Sequence, residues 1–431
     1  MKNSIKGKSL IKILFIAYSV IVSLQFLLIY VIRDRFIRAT YKLPFMFWGF
    51  SDWLINYQGG FVRRGLWGEF LLFLYNNFGI DIGRTLVFIV VVSTVALIMF
   101  TIYFFKKKGL SFFLLPNILL LGIFVTQDIT SFRRDALMLL MIFAVLYLYK
   151  KWQEGKGNST LYYVLMSITG IVVLLTHEAS FFCFVPFIMF HYFCSCESKG
   201  FAKKAIKTIL ISLPVIATMG VACIFKGNED MANTIWNSYA PYFSERFGEI
   251  LPMGYGVKAL TWNAESTLKE HFMLNYVFDT SFIPHRIYAW IPIYFFAFYL
   301  MSNVNKIKMF KYENPCIDNA HLATVLAIQY VALLPMFTVL SCDIGRIVMY
   351  WSFSSFFIFA FFDKTEFPVF SNFGHRAKLF FDNNRLLSNK WFYFLISITI
   401  FVPFCHFPPE AIYSSVIGNL VKLVQYAATF I

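Results

Sequence analysis

The chain has 431 residues, of which 59% are hydrophobic and only 14% are charged. Soluble domains carry about 25% charged residues, so this composition predicts a membrane protein and argues against a soluble enzyme. A net charge of +15 would suit a nucleic-acid-binding protein. The lysines, however, lie in short clusters between apolar segments, which is typical of the cytoplasmic loops of membrane proteins. We therefore expect no nucleic-acid partner.

Seven cysteines are present, and their spacing matches no metal-binding pattern. Cys194 and Cys196 are separated by one residue, which is the wrong spacing for a zinc knuckle, and no second pair lies nearby. We therefore expect no metal site and no cofactor.

Apolar segments of about 17–23 residues recur along the chain and predict one all-α polytopic integral membrane domain, residues 1–431, with about 11–12 transmembrane helices. The first segment, 10–32, follows a lysine-rich start but is too long for a signal peptide, so we expect an uncleaved helix with a cytoplasmic amino terminus. The apolar tail 411–431 either spans the membrane or lies on it. The other expected spans are 85–105, 110–126, 136–149, 160–176, 179–193, 208–225, 286–301, 320–340, 347–362 and 391–407.

Two long loops, 33–84 and 226–286, interrupt these spans. Within the first loop, residues 66–78 are expected to form a short surface or re-entrant helix. Alternation of the spans places every short lysine-rich loop on one side of the membrane, which the positive-inside rule makes the cytoplasmic side. Both long loops then lie outside. The pattern predicts a bacterial inner-membrane protein with its working face on the periplasmic side.

The external face collects arginines beside acids, and its first cluster is Asn56–Glu69, preceded by Asp52. Glycines in this stretch allow the backbone to approach a ligand closely. Arg63 and Arg64 follow, and the planar fork of arginine suits phosphate oxygens. Alternatively, the two arginines bind lipid headgroups. Such anchoring would need neither Asp52 nor Glu69.

A second cluster, Gln127–Asp135, joins two expected spans. Its acids and arginines either neutralise one another in a tight turn or place an arginine at the amino end of the next helix. There the helix dipole adds to the attraction for an anion.

Two further pairs lie at external helix ends. His177 and Glu178 either serve as proton carrier and base near neutral pH or form a hydrogen bond that fixes a hairpin. Asp343 either orients Arg346 or caps the next helix, and capping alone would leave Arg346 unexplained. Aromatic residues in the loop 226–286 are suited either to stacking on sugar rings or to packing the loop.

Together these features resemble polytopic glycosyltransferases that use polyprenyl-phosphate-linked donors outside the cytoplasm. One such group is the C-type (GT-C) superfamily, whose members carry a working acid in the first external loop, where this chain has Asp52 and Glu69. Another is the Wzy-type O-antigen and capsule polymerases, with about eleven or twelve spans and one enlarged periplasmic loop. The loop 226–286 and the scattered arginines are similar to that second pattern.

The resemblance implies transfer of a glycan from undecaprenyl pyrophosphate to an acceptor hydroxyl. Such chemistry needs an anion clamp for the leaving group and a base for the acceptor. The expected base is Asp52, with Glu69, Glu178 and His177 as further candidates, and Asp128, Asp135 and Asp343 as supporting acids. The expected partners are the lipid-linked donor, the acceptor, membrane lipids and other envelope-polysaccharide assembly proteins. The expected clamp comprises Arg63, Arg64, Arg133, Arg134 and Arg346 with Gln58.

Three alternatives predict different behaviour. A C-type enzyme would transfer a single sugar rather than join repeat units. A flippase would typically show inverted repeats and charges near the membrane midplane, whereas this chain has no visible repeat and its charges cluster at one surface. A scaffold protein would tolerate substitution of single external arginines. The sequence favours a transferase over a transporter, and a transporter over a scaffold.

Overall fold

The computed structural model describes residues 45–121, 133–262, 287–313, 318–341, 344–363 and 371–399, apart from positions 47, 118 and 156, with a few isolated residues elsewhere. Over these ranges the protein is all-helical and has no strand. Its longer helices, numbered along the chain, are α1 (Gly65–Phe78), α2 (Ile82–Lys108), α3 (Asp135–Gln153), α4 (Ser159–Thr176), α5 (Ser180–Ser195), α6 (Phe201–Ile224), α7 (Glu229–Asn237), α8 (Ala240–Phe247), α9 (Ile287–Ser302), α10 (Asn319–Thr338), α11 (Ile344–Phe361), α12 (Ser371–Asn383) and α13 (Lys390–Thr399).

Four helices, α2, α4, α6 and α10, are long and apolar enough to cross a membrane. The shorter apolar helix α5 and the apolar parts of α9 and α11 accompany them. These helices are consistent with the polytopic membrane protein that the composition predicts.

Most expected spans coincide with a helix to within a few residues. The expected span 160–176 is observed as Ser159–Thr176, and the expected short helix 66–78 is observed as Gly65–Phe78. The expected first helix 10–32 lies largely outside the described residues, and the tail 411–431 lies wholly outside them.

The predicted span 110–126 is wrong over its described part, residues 110–121. Gly109 adopts a left-handed conformation (φ 66°) and ends α2. After it the chain makes only the short 3₁₀ turn Phe112–Leu114 and further turns. The carboxylate of Glu313 accepts the backbone N–H of Phe112 at 3.2 Å, and Asn117 donates to the backbone oxygen of Ser397 at 2.7 Å. Polar contacts with distant segments replace the helix that the apolar composition favours.

The described part of the protein has two separate hydrophobic cores. The larger core lies within the helical bundle, where residues such as Leu139, Phe184 and Trp351 are almost completely buried. The second core joins the amino-terminal segment 45–90 to residues 232–260 and includes Trp53 and Phe243. We call this second unit the cap. The two long loops predicted from the sequence therefore fold against each other.

The bundle has two chemically distinct ends. Glu366 contacts Lys150 near the end of α3 at 3.1 Å and His191 near the end of α5 at 2.9 Å. His321, at the start of α10, contacts the backbone oxygen of Phe362, just after α11, at 2.8 Å. We call this the lysine end. The opposite end, where α3, α5 and α11 begin and α4 stops beside the cap, is the arginine end.

Candidate functional site

The arginine end brings together residues from widely separated parts of the chain. Asp52 lies in a 3₁₀ turn of the cap, and Arg64 directly precedes α1. Arg134 precedes α3, while His177 and Glu178 connect α4 to α5. Antiparallel packing of α3 on α4 places the start of the first beside the end of the second. At this end Arg64 contacts Asp52 and Glu178, and Arg134 contacts Asp52.

Arg64 is the centre of this cluster. Its Nε donates to Glu178 Oε2 at 2.6 Å and its Nη2 to Glu178 Oε1 at 2.5 Å, which is a bidentate pairing. Its Nη1 donates to Asp52 Oδ1 at 3.1 Å. The backbone of Arg64 is left-handed (φ 66°), and no other non-glycine residue in the described ranges has a positive φ. For a side chain with a Cβ this conformation is strained, and such strain often accompanies functional sites.

Arg63 adds a weaker and more exposed contact. Its Nη1 donates to Glu178 Oε1 at 3.3 Å, and its side chain is 33% exposed, against 19% for Arg64. The backbone N–H of Arg63 donates to the carbonyl oxygen of Phe225 after α6 at 3.0 Å. Glu178 is thus shared by two neighbouring guanidinium groups, of which Arg63 is the easier to displace.

Both carboxylates of the cluster are strongly ionised. Burial alone would raise the pKa of Asp52, but Arg134 and Arg64 outweigh burial and lower this pKa to about 2. Burial likewise opposes ionisation of Glu178, yet Arg64 and Arg63 hold its pKa well below the usual range. A general base works best when its pKa lies near the operating pH. In this arrangement neither carboxylate is a strong base.

His177 is neutral at physiological pH. Burial, reinforced by Arg64, lowers its pKa to about 3. Its Nδ1 accepts the backbone N–H of Ala179 at 3.2 Å, while the nearest Glu178 oxygen is 3.8 Å away. A hydrogen bond between His177 and Glu178 was one of the two alternatives for this pair, and it does not form, because both Glu178 oxygens accept from Arg64. This environment also opposes the predicted role of His177 as a proton carrier near neutral pH.

Arg134 is buried beneath the cluster with only 1% of its surface exposed. Its Nη1 donates to the carbonyl oxygens of Arg64 and Thr176 at 3.1 and 2.9 Å, and its Nη2 donates to the carbonyl oxygen of Asp52. The guanidinium also lies over the Trp53 ring, 5.2 Å from its centroid. Arg134 therefore links the cap to α4, and these contacts favour a positioning role over direct phosphate binding.

Arg346 forms a separate buried pair. Its Nε and Nη2 donate to the two carboxylate oxygens of Asp135 at 3.0 and 2.6 Å, and Tyr350 Oη donates to Asp135 at 2.5 Å. Asp135 directly follows Arg134 at the start of α3, and Arg133 interacts with it electrostatically. Asp135 therefore pairs with the distant Arg346, and its neighbour Arg134 contacts Asp52 and the carbonyl oxygen of Thr176. Asp128 and Asp343 lie outside the described residues.

Glu69 and Gln58 have a local contact instead. Glu69 accepts the backbone N–H of Tyr57 at 2.9 Å and the side-chain amide of Gln58 at 2.9 Å. These bonds close the glycine-rich loop onto the first turn of α1. In this position Glu69 shapes the loop that carries Arg63 and Arg64.

The sequence reasoning missed the residues that hold Asp52 in place. The backbone N–H of Gly256 donates to Ser51 Oγ at 2.8 Å. A Cβ on Gly256 would lie 2.4 Å from the backbone nitrogen of Asp52, so only glycine fits there. Gly254 and Gly256 were a usable signal, because glycine is the usual residue where backbone segments approach closely.

Comparison with known proteins adds no assignment. The chain matches no family model, and neither the curated proteins nor the solved structures include a match. Among the described residues, no group of His, Cys, Asp and Glu is placed to hold a metal ion. What the site offers chemically is an arginine pair, partly accessible, held by carboxylates that an incoming anion could replace.

Proposed function

We propose that the protein is an integral membrane glycosyltransferase that uses a polyprenyl-(pyro)phosphate-linked glycan donor at its arginine end. The preferred form of this proposal is an O-antigen or capsular-polysaccharide repeat-unit polymerase in a bacterial inner membrane, working on the periplasmic side. The observation that supports it is the pairing of Arg63 and Arg64 with Glu178 and Asp52 at one end of the bundle.

The proposed donor site is centred on Arg63 and Arg64. A phosphate group presents oxygens that a guanidinium fork binds in the same bidentate way as a carboxylate. In the structure Glu178 occupies the fork of Arg64. The donor phosphate would replace Glu178 on both arginines, beginning at the more exposed Arg63.

This exchange would also create the base. Once Arg63 and Arg64 bind phosphate, Glu178 loses both of its guanidinium partners while it stays partly buried. Its pKa then rises, because burial disfavours the ionised form. Asp52 would retain Arg134, 3.5 Å from its carboxylate, and would remain a weak base. We therefore favour Glu178 over Asp52 as the general base, and assign Asp52 to positioning Arg64.

In the proposed step, the acceptor hydroxyl oxygen attacks the anomeric carbon of the donor glycan. The bond between this carbon and the phosphate oxygen breaks, and the polyprenyl pyrophosphate leaves with the bonding electrons. Arg63 and Arg64 stabilise the charge that develops on the leaving group. Glu178 takes the proton of the acceptor hydroxyl.

A C-type enzyme that transfers a single sugar from a polyprenyl phosphate is the second candidate. The direct contact between Asp52, in the first long loop, and Arg64 favours it. Both candidates use the same arginine pair and differ in the glycan that is joined. A flippase would need no base, so Glu178 would be dispensable in that case.

The test is a gel profile of surface glycans from cells that carry the wild type, a deletion, or single variants at matched protein levels. The variants are Arg64→Ala and Glu178→Gln, with Arg84→Ala, an exposed arginine outside the cluster, as the control. A polymerase predicts that the deletion and both site variants reduce the polysaccharide ladder to single repeat units, while Arg84→Ala keeps it. An intact ladder in the deletion strain would exclude polymerisation. Loss in Arg64→Ala with an unchanged Glu178→Gln ladder would favour transport.

A further inference from the structure

Helix α12 (Ser371–Asn383) differs from the other helices of the bundle. It carries His, Arg, Lys and Asp beside three phenylalanines, so it is too polar and too short to cross a membrane. It nevertheless packs closely on α10, because Gly374 faces that helix. A Cβ on Gly374 would lie 1.9 Å from the carbonyl oxygen of Ala320 and 2.3 Å from Thr324 Oγ1.

The position of this contact places α12 at the lysine end of the bundle. Ala320 and Thr324 belong to the first turns of α10, and His321 between them contacts the residue that follows α11. Lys306, just after α9, donates to the carbonyl oxygen of Leu387 beyond α12. Helix α12 therefore lies near the lysine end, where its Phe373 and Phe381 also contact Phe298 of α9 at 6.1 and 6.0 Å between ring centroids.

One side of α12 is buried, and the remainder combines apolar and basic side chains. Gly374 and Phe381 face the bundle, whereas Phe373 and Phe380 are 47% and 53% exposed. At about 100° per residue, Phe373, Arg376 and Phe380 share one exposed side. Lys378 lies nearer the opposite, aqueous side of the helix.

The segment 371–390, which includes α12, carries mostly positive charge. Between 371 and 390 the sequence has four arginines and lysines and one aspartate. Within the described residues, none of the basic side chains Arg376, Lys378, Arg385 and Lys390 forms an ion pair. Trp391, at the start of the apolar helix α13, is 44% exposed. Tryptophan is enriched where a membrane meets water, so it marks the level of the headgroups.

We propose that α12 lies flat at the membrane surface and forms a binding site for anionic phospholipids. Phe373 and Phe380 reach into the acyl-chain region, and Arg376 and Lys378 bind headgroup phosphates while their stems lie along the apolar surface. Charge complementarity selects an anionic lipid over a zwitterionic one. The proposal rests on the membrane location of the bundle and is independent of the proposed transferase activity.

The test uses the full-length protein in nanodiscs of mixed phosphatidylcholine and phosphatidylglycerol. A fluorophore is attached through Asn383→Cys, next to the exposed side of α12, in a variant whose native cysteines are replaced by alanine. Brominated phosphatidylglycerol and brominated phosphatidylcholine are compared as quenchers at equal content. We expect stronger quenching by phosphatidylglycerol. Arg376→Gln with Lys378→Gln should reduce this preference about fivefold per residue, whereas the control pair Lys258→Gln with Lys269→Gln should keep it.

Equal quenching by the two lipids would overturn the anionic preference. Quenching by neither lipid would show that something other than lipid covers α12, and would overturn the proposal entirely.

Should the cysteine-free variant fail to fold, native mass spectrometry of the protein with its native cysteines replaces the quenching experiment. There the Arg376→Gln and Lys378→Gln double variant must retain fewer phosphatidylglycerol molecules than the wild type and the control pair. Equal retention in all three would contradict the site.

Discussion

Arg64 combines a strained backbone with a buried ion-pair network. Its fork binds Glu178 while its φ of 66° is a conformation that favours glycine. We expect Arg64→Ala to lower the free energy of unfolding by about 2–3 kcal/mol, because Glu178 and Asp52 are partly buried and would each lose their shortest contact with a guanidinium group. Arg64→Gly should lose about 1 kcal/mol less, because glycine relieves the left-handed strain. Denaturation of the purified variants in detergent measures both effects.

Arg84→Ala is the control, since Arg84 is exposed at the start of α2 and lies outside the cluster. Its stability should stay within about 0.5 kcal/mol of the wild type. Equal stability of Arg64→Ala and Arg84→Ala would mean that the ion pairs contribute nothing.

His177 predicts a distinct pH dependence of stability. Its pKa is about 3 in the folded protein, against 6.5 for an unperturbed histidine. Between these values His177 is protonated in the unfolded chain but not in the folded protein. Stability therefore falls as the pH falls from about 6.5 towards 3. The slope from this one residue is at most about 1.4 kcal/mol per pH unit. His177→Asn, which retains an acceptor for the Ala179 N–H, should flatten the melting temperature across this range.

The carboxylates Asp52 and Glu178 affect the stability of the protein at lower pH than His177 does. The pKa of Asp52 is about 2 in the folded protein, against 3.8 for an unperturbed aspartate. Its stabilising contribution is therefore present above the unfolded value and is lost as the pH falls through about 2. Asp52→Asn should reduce this loss at low pH, to which Glu178 also contributes, and leave the His177 effect in place. A variant that altered both steps equally would show that the whole cluster melts as one unit.

At the level of elements, the segment Tyr255–Lys258 holds the turn that carries Asp52. Because a Cβ on Gly256 would meet the Asp52 backbone at 2.4 Å, Gly256→Ala must displace one of the two segments. We expect a loss of about 1–3 kcal/mol, the usual range for overpacking, together with loss of glycan product. Thermal unfolding and the surface-glycan gel measure the two effects.

Gly220→Ala provides the matched comparison. Gly220 lies within α6, and a Cβ there would meet nothing within 4 Å. Alanine should be neutral or stabilise the helix by about 0.5–1 kcal/mol. If Gly256→Ala changed the free energy of unfolding no more than Gly220→Ala, the cap would accommodate the added methyl group easily. The segment Tyr255–Lys258 would then not hold Asp52 in position.

Helix boundaries were predictable where hydrophobic runs are long and uninterrupted, as for α4 and α10. Prediction failed at 110–121, because the polar contacts of Ser111 and Asn117 are made with segments near 305–313 and 397. Those partners are close only after folding, so composition within a local window cannot reveal them.

The candidate site was predictable as a set of residues but not as a set of contacts. Alternation of the spans groups the arginine clusters at one end because each connection reverses the chain direction. Alternation of the spans does not predict which acid pairs with which arginine. Asp135 has arginines beside it in the sequence, yet it pairs with Arg346, 211 residues away. This long-range choice is also what separates an arginine that holds the fold, such as Arg134, from one that is available to a ligand, such as Arg63.

At the scale of the whole molecule, separation of the lysine and arginine ends predicts opposite exposure in a sealed membrane. Lys199 lies just before α6 at the lysine end, Lys258 lies in the cap, and both are exposed. We expect a membrane-impermeant maleimide to label Lys258→Cys in spheroplasts, whereas Lys199→Cys should react only after the membrane is permeabilised. Each variant is made without the native cysteines, and the cysteine-free parent is the background control. Labelling of both positions from one side would contradict the assignment of these ends to opposite faces.

Labelling of Lys199→Cys alone would place the Arg63–Arg64 cluster in the cytoplasm. The donor would then be expected to be a nucleotide sugar and not a polyprenyl-linked glycan.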